Sequence, residues 1–182
     1  MKNFRSPVLA VLLLLSACGG SPHAPVGSAK KGPGPFFCPQ VAVLEQAQTL
    51  TLFLPDRADV AARISTAQIT GVSGVCKSEP GKHAVLVTIH TDFLADNDPA
   101  NNSAPLVLPW FAAITAGDNI VQKTGYTQKL NFDGNMSTVT ATAKPIKVEL
   151  PNTPDNADTQ ILVGFEESPD QLAYAAAHSA AP

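Results

Sequence analysis

A histidine and an aspartate two positions apart, His90 and Asp92, are the residues whose types and spacing best fit chemistry. The apolar residues Val85, Val87 and Ile89 alternate with them, so both polar side chains are predicted on one face of a strand. Such a pair can bind a metal or orient a catalytic base. The same alternation is typical of a half-solvated strand with a polar outer face, and we favour this second interpretation.

Residues 92–102 form the cluster that is richest in side-chain oxygen. Calcium takes about six to eight oxygen ligands, which makes Asp96 and Asp98 candidate calcium ligands. The order departs from an EF-hand, because Ala100 occupies a ligand position and the loop glycine is missing. Asx-rich stretches with proline are also typical of turns, which is the interpretation we favour.

Other catalytic patterns are incomplete. The run Gly71-Val72-Ser73-Gly74 approaches a nucleophile elbow but lacks the second glycine at the required spacing. The sequence contains no His-Glu-x-x-His zinc motif and no glycine-rich phosphate loop. We therefore predict no catalytic residue and no cofactor, with a periplasmic hydrolase around His90 and Asp92 as the enzymatic alternative.

An aromatic pair, Trp110 and Phe111, offers a different kind of site. Because the two residues alternate on a predicted strand, we expect one in the core and the other partly exposed. An exposed Trp110 beside an edge strand would suit contact with a ligand or a partner.

The N-terminus predicts export. Lys2 and Arg5 precede an apolar run at residues 8–15, which is shorter than the roughly 20 residues that span a bilayer. The tetrad Leu15-Ser16-Ala17-Cys18 resembles the lipobox of bacterial lipoproteins. An ordinary signal peptide with a chance cysteine is the alternative.

The lipobox resemblance implies that residues 1–17 are removed and that Cys18 carries diacylglycerol. Gly19 stands where the inner-membrane retention signal of enteric lipoproteins has aspartate. By that resemblance we expect the chain in the outer membrane, facing the periplasm.

The two remaining cysteines, Cys38 and Cys76, are predicted to form a disulfide, since an even pair in an exported protein usually does. A metal pair or a redox couple is the less favoured alternative. No Cys-x-x-Cys occurs, and no histidine lies near either cysteine along the chain.

Between Cys18 and the domain, residues 19–35 contain five glycines and four prolines, which is typical of a flexible tether. From residue 36 onward, eight basic and fifteen acidic residues give a net charge of −7. This acidic balance argues against nucleic-acid binding, which usually needs a basic face.

Residues 36–178 are predicted to fold as one all-β domain, an antiparallel β-sandwich of the immunoglobulin or fibronectin kind. Period-two alternation between turn signals supports this class. Residues 61–69 fit a strand or a short helix, and we favour the strand. Ser168, Pro169 and Gln171 indicate the start of a short C-terminal helix, and residues 179–182 are expected to fray. The strands are expected near 41–43, 49–54, 85–93, 106–115, 120–121, 126–132, 146–150 and 161–165.

Residues 38–44, 110–114, 163–165 and 168–174 are similar to segments of a group of exported proteobacterial lipoproteins. That resemblance implies an envelope location and carries no activity. We therefore expect a membrane-anchored, non-enzymatic binding or structural module with an envelope-protein partner. A calcium- or carbohydrate-binding adhesive domain, using the Asp96 loop and an exposed aromatic residue, is a further alternative.

Overall fold

The computed structural model describes residues 37–154 and 158–178. The predicted signal peptide (1–17), the lipidation site Cys18, the tether (19–35) and the C-terminal tail (179–182) lie outside the described residues.

The described residues form nine strands in two sheets, which confirms the predicted β-sandwich. One sheet has the order β1-β9-β5-β6, and in the other β2, β3 and β4 are consecutive, with β7 and β8 both paired to β4. The strands are β1 (Gln40–Val43), β2 (Thr49–Phe53), β3 (Arg63–Glu79), β4 (Ala84–Asp96), β5 (Leu106–Ala116), β6 (Asn119–Leu130), β7 (Thr138–Thr142), β8 (Ile146–Pro151) and β9 (Thr159–Phe165).

Two details refine the prediction. β1 runs parallel to β9, so the first sheet is not wholly antiparallel. In immunoglobulin domains the second and third strands belong to different sheets, whereas here β2, β3 and β4 lie side by side in one sheet. The sandwich architecture is therefore the predicted one, with its own strand order.

Most of the ambiguous segment at residues 61–69 is strand: residues 63–69 belong to β3, and residues 61 and 62 belong to a 3-10 turn. A single 3-10 turn at Val60–Ala62 leads directly into β3, which is 17 residues long. The ladder between β3 and β4 shifts its register between Ile69 and Gly71, which is a β-bulge. After the bulge the next inward-facing residue is Val72, so β3 contributes core residues on both sides of the bulge.

The core lies between the sheets and is centred on aromatic rings. Phe93 of β4 contacts Trp110 of β5 and Phe165 of β9, with ring centroids 5.6 and 5.9 Å apart. All three side chains are buried. Because β4 belongs to one sheet and β5 and β9 to the other, this cluster holds the two sheets together.

The predicted disulfide between Cys38 and Cys76 is present, with Cα atoms 5.9 Å apart. Cys38 precedes β1 in one sheet and Cys76 lies in β3 of the other, so the bond joins the sheets at one margin. Gly74 permits this close approach, since a Cβ there would overlap the Val41 side chain of β1.

The predicted C-terminal helix is α1 (Pro169–His178). Its start is a capping box: Gln171 N donates to Ser168 Oγ, and Ser168 N donates to Gln171 Oε1. The helix adjoins β2 and meets the sandwich through an edge-to-face contact between Tyr174 and Phe53, with centroids 4.8 Å apart. No residue of α1 is fully buried. Among residues 37–154 and 158–178, no helix is long and apolar enough to cross a membrane.

Candidate functional site

His90 and Asp92 lie on the outer face of β4, as the alternation predicted. His90 is opposite Ser73 of β3, and Asp92 Oδ1 accepts a hydrogen bond of 2.6 Å from Thr142 Oγ1 of β7. Within the described ranges, no three His, Cys, Asp or Glu side chains gather into a group that could hold a metal ion. The structure therefore brings no third ligand to this pair, and its aspartate is held by a threonine rather than by the histidine.

Of the two candidate calcium ligands, Asp98 faces a cation of the protein itself. Its carboxylate pairs with the Arg63 guanidinium through both oxygens, with Nε–Oδ2 at 2.9 Å and Nη2–Oδ1 at 3.0 Å. The hydrogen bond that the guanidinium donates to the Asp98 carboxylate raises the pKa of Arg63. Asp96 contributes its backbone carbonyl oxygen, which accepts from Ser65 Oγ at 2.7 Å. A calcium ion at Asp98 would have to displace a guanidinium, so the arrangement does not fit the calcium interpretation.

The rest of the Asx-rich segment is a hydrogen-bonded turn. Asn97 Oδ1 accepts from Asn101 Nδ2 at 2.9 Å and from Ser103 N at 3.3 Å. Asn97 Nδ2 donates to the carbonyl oxygen of Met136 at 3.0 Å. Asn102 and Ser103 adopt positive φ angles of 52° and 58°. The turn interpretation of this segment is therefore confirmed.

The expectation that one residue of the Trp110 and Phe111 pair is exposed is wrong. Trp110 is 2% exposed and stacks on Tyr126 with centroids 4.8 Å apart. Phe111, on the opposite face of β5, is covered by Ala47 and Gly164. Ala47 belongs to the 3-10 turn Glu45–Ala47, which covers the outer face of this sheet. Trp110 is therefore a core residue and offers no exposed binding platform.

A concave site that the sequence did not indicate lies where α1 meets the sandwich. We name it the helix groove; it is bounded by α1, β2 and the Glu45–Ala47 turn, and its volume is about 730 Å³. Its lining residues are Glu45, Gln46, Thr49, Thr51, Leu172, Tyr174, Ala175, Ala176 and His178.

The walls of the helix groove differ in chemistry. Thr49 and Thr51 supply hydroxyl groups from β2, and Glu45 supplies a carboxylate. On the helix side, Tyr174 and His178 stack with centroids 4.0 Å apart. His178 Nδ1 donates to the Tyr174 carbonyl oxygen at 2.8 Å, which orients the ring. The groove thus combines hydrogen-bonding groups with an aromatic surface.

The helix groove was missed because its parts are distant in sequence. The alanines at 175 and 176 predict helix, yet nothing in that pattern says which surface they face. The helical period of Leu172, Ala175 and Ala176 is the one local signal that these residues share a side of α1.

Glu167, which follows β9, is a second feature without a sequence signal. Both side-chain oxygens are shielded from solvent and accept no hydrogen bond from any described residue. Burial raises the pKa of the Glu167 carboxyl, because the charged form is disfavoured away from water. Its neighbour Glu166 is exposed and pairs with Lys123 at 2.9 Å. The two carboxylates therefore do not act as a pair.

We expect Glu167→Gln to stabilise the domain at pH 7. A carboxyl whose pKa is raised in the folded protein binds its proton more tightly there than in the unfolded chain. Its contribution to the free energy of unfolding is therefore lost as the pH rises from the unfolded pKa of about 4.5 through the folded pKa. The variant should raise the melting temperature at pH 7 by about 2 °C, with the difference vanishing below pH 4. Thermal unfolding between about pH 3 and 8 measures this. Glu166→Gln, which removes an exposed ion pair, should be neutral or slightly destabilising. Equal stability of the wild type and Glu167→Gln at pH 7 would contradict the assignment.

No protein-family model, curated protein or solved structure matches the chain. The roles proposed for the residues of the helix groove therefore depend on their contacts in this structure.

Proposed function

We propose that the chain is a lipid-anchored protein of the bacterial cell envelope, and that its β-sandwich is a non-enzymatic binding module. The observation that carries this proposal is the helix groove, which joins an open concave shape to hydrogen-bonding and aromatic side chains. The proposed partner is an envelope protein that places a side chain or a short segment in the groove.

The anchor part of the proposal depends on the N-terminal sequence. Cys18 ends a lipobox-like tetrad, and residues 19–35 form a glycine- and proline-rich tether. One acyl chain binds a membrane weakly, whereas a diacylglycerol-modified cysteine supplies the second chain that stable anchoring needs. The disulfide between Cys38 and Cys76 supports export, because such bonds persist in oxidising compartments. Gly19 favours the outer membrane, with the domain facing the periplasm.

The binding part of the proposal follows from the lining of the helix groove. The Thr49 and Thr51 hydroxyls can donate and accept hydrogen bonds, and the Glu45 carboxylate attracts a cationic group. The stacked rings of Tyr174 and His178 offer an aromatic surface to the same occupant. The His178 Nδ1 donates to a backbone carbonyl, which leaves Nε2 as the hydrogen-bond acceptor of the ring. The described residues that line the groove include no serine and no cysteine. These properties suit holding a partner better than activating a nucleophile.

The anchor is tested by replacing Cys18 with alanine in the full chain. We expect the variant to leave the membrane fraction, while Ser21→Ala, outside the tetrad, fractionates like the wild type. Unchanged membrane fractionation of Cys18→Ala would contradict the anchor.

The groove is tested by two alanine substitutions on α1. Ala176 lines the helix groove, whereas Ala177 is exposed and does not. Chemical crosslinking in cells, followed by pull-down of the full chain, should recover the same envelope protein with the wild type and with Ala177→Trp. Ala176→Trp fills the groove and should reduce recovery about tenfold, the effect of losing a well-packed contact at an interface. Equal recovery with both tryptophan variants would contradict binding in the groove.

A further inference from the structure

The two walls of the helix groove match the two parts of a long basic side chain. On the helix side, Leu172, Ala175 and Ala176 offer apolar surface, and Leu172 is 48% exposed. On the opposite side, the Glu45–Ala47 turn and β2 supply polar groups. A basic side chain has an apolar stem and a charged head. The stem therefore fits against α1, and the head fits against the polar wall.

The charge of the helix groove favours a cation. Glu45 is exposed and supplies the one carboxylate among the described lining residues, none of which is a lysine or an arginine. Within the described ranges Glu45 forms no ion pair. From residue 36 onward, eight basic and fifteen acidic residues give the chain a net charge of −7. This charge attracts a basic partner at longer range.

The polar wall is rich in hydrogen-bond acceptors, which favours arginine over lysine. Besides the Glu45 carboxylate, Gln46 has a side-chain carbonyl oxygen, and Thr49 and Thr51 have hydroxyl oxygens. His178 Nδ1 donates to a backbone carbonyl, so its Nε2 is a further acceptor. A guanidinium presents five N–H donors in a plane and stacks on aromatic rings, whereas an ammonium is a compact charge with three donors.

We propose that the helix groove holds an arginine side chain of the partner protein. Glu45 is the counter-ion of the guanidinium, and the apolar surface of α1 covers the methylene stem. The identity of this occupant rests on the proposed function, in which a partner protein places a side chain in the groove.

A second copy of this chain is a poor source of the arginine. The sequence has three arginines, of which Arg5 lies in the predicted signal peptide. The other two are engaged within their own chain, Arg57 with Asp59 at 2.8 Å and Arg63 with Asp98 at 2.9 Å. Two copies with a net charge of −7 each also repel one another. The arginine is therefore assigned to a different protein.

The first test compares two peptides of the same shape and different charge. N-acetyl-Ala-Arg-Ala-amide carries a guanidinium, whereas citrulline replaces it with an uncharged group in the second peptide. Each is titrated into the full chain purified in detergent, and NMR follows the amide signals of Thr49, Thr51 and Ala175. The arginine peptide should shift these signals and bind about tenfold more tightly than the citrulline peptide, because it alone forms a charge-assisted hydrogen bond with Glu45.

Glu45→Gln should abolish this preference, so that the two peptides bind the variant within about twofold of each other. Asp118→Asn is the matched control. It also removes one negative charge, from an exposed position between β5 and β6 that lies outside the groove, and it should keep the tenfold preference. Equal binding of the two peptides to the wild type would overturn the proposal, as would loss of the preference in both variants. Absence of a saturable shift at up to about 10 mM arginine peptide, which would reveal even a millimolar affinity, would overturn it as well.

Recovery of the partner in cells separates the arginine from the groove itself. In the crosslinking experiment, Glu45→Gln should lower recovery of the envelope protein about tenfold, and Asp118→Asn should leave it unchanged. If Ala176→Trp lowers recovery and Glu45→Gln does not, the groove binds a partner and the arginine proposal is overturned. If Ala176→Trp has no effect, the proposed function fails, and the peptide titration still decides whether the groove binds arginine.

Discussion

Replacing Phe93 with alanine is expected to lower the free energy of unfolding by about 3–5 kcal/mol. The side chain is 0% exposed, and its ring lies against Trp110 and Phe165 of the facing sheet. The loss has two parts, the transfer free energy of a phenyl ring and the cavity that remains between sheets that cannot fully close. Denaturant unfolding measures it as a lower midpoint with an unchanged slope.

Phe37→Ala is the matched control for the Phe93 prediction. Phe37 is 40% exposed, so its removal deletes less buried surface than the removal of Phe93 and should lower the free energy of unfolding by about 1–2 kcal/mol. A Phe93→Ala variant as stable as Phe37→Ala would show that the aromatic cluster does not hold the sheets together.

Loss of the disulfide is the second large effect that we expect. Cys38 and Cys76 are 38 positions apart, and opening a loop of that size should cost about 3–4 kcal/mol through the entropy regained by the unfolded chain. The Cys38→Ser and Cys76→Ser double variant should therefore melt well below the wild type. Thermal unfolding with and without a reductant measures the difference.

The double variant also supplies its own control for the disulfide prediction. Reductant should lower the melting temperature of the wild type to that of the double variant and leave the variant unchanged. If reductant destabilised both chains equally, the effect would not come from this bond. Because the disulfide joins β1 to β3 across the sandwich, its loss should release the margin of the first sheet.

Local patterns predicted most of the strands. The alternation of Val85, Val87 and Ile89 with polar residues can be recognised from their immediate neighbours in sequence. These three residues of β4 face the core. The capping box at Ser168 and Gln171 is equally local and was found where predicted. β7 was not predicted, because its sequence TVTAT has no large apolar side chain to mark a face. It is a strand because it pairs with the second half of β4.

The contacts that hold the candidate site residues are made between distant segments. Asp98 was considered for calcium because it lies among other acidic and amide residues, but its carboxylate is held by Arg63, 35 positions away. Trp110 was considered for binding because it is large and aromatic. Its stacking partner is Tyr126, reached through the pairing of β5 and β6. Neither contact leaves a trace in local spacing.

By itself, the sequence determined the class of fold, the cysteine pair, the start of the C-terminal helix and the polar outer face of β4. Each of these depends on residue types within a few positions, or on a cysteine count. The tertiary structure alone decided the strand order, the burial of Trp110, the partner of Asp98 and the helix groove. Those features depend on which surfaces pack together. The packing of the whole core sets this, because it is made of contacts between residues that are far apart in the chain.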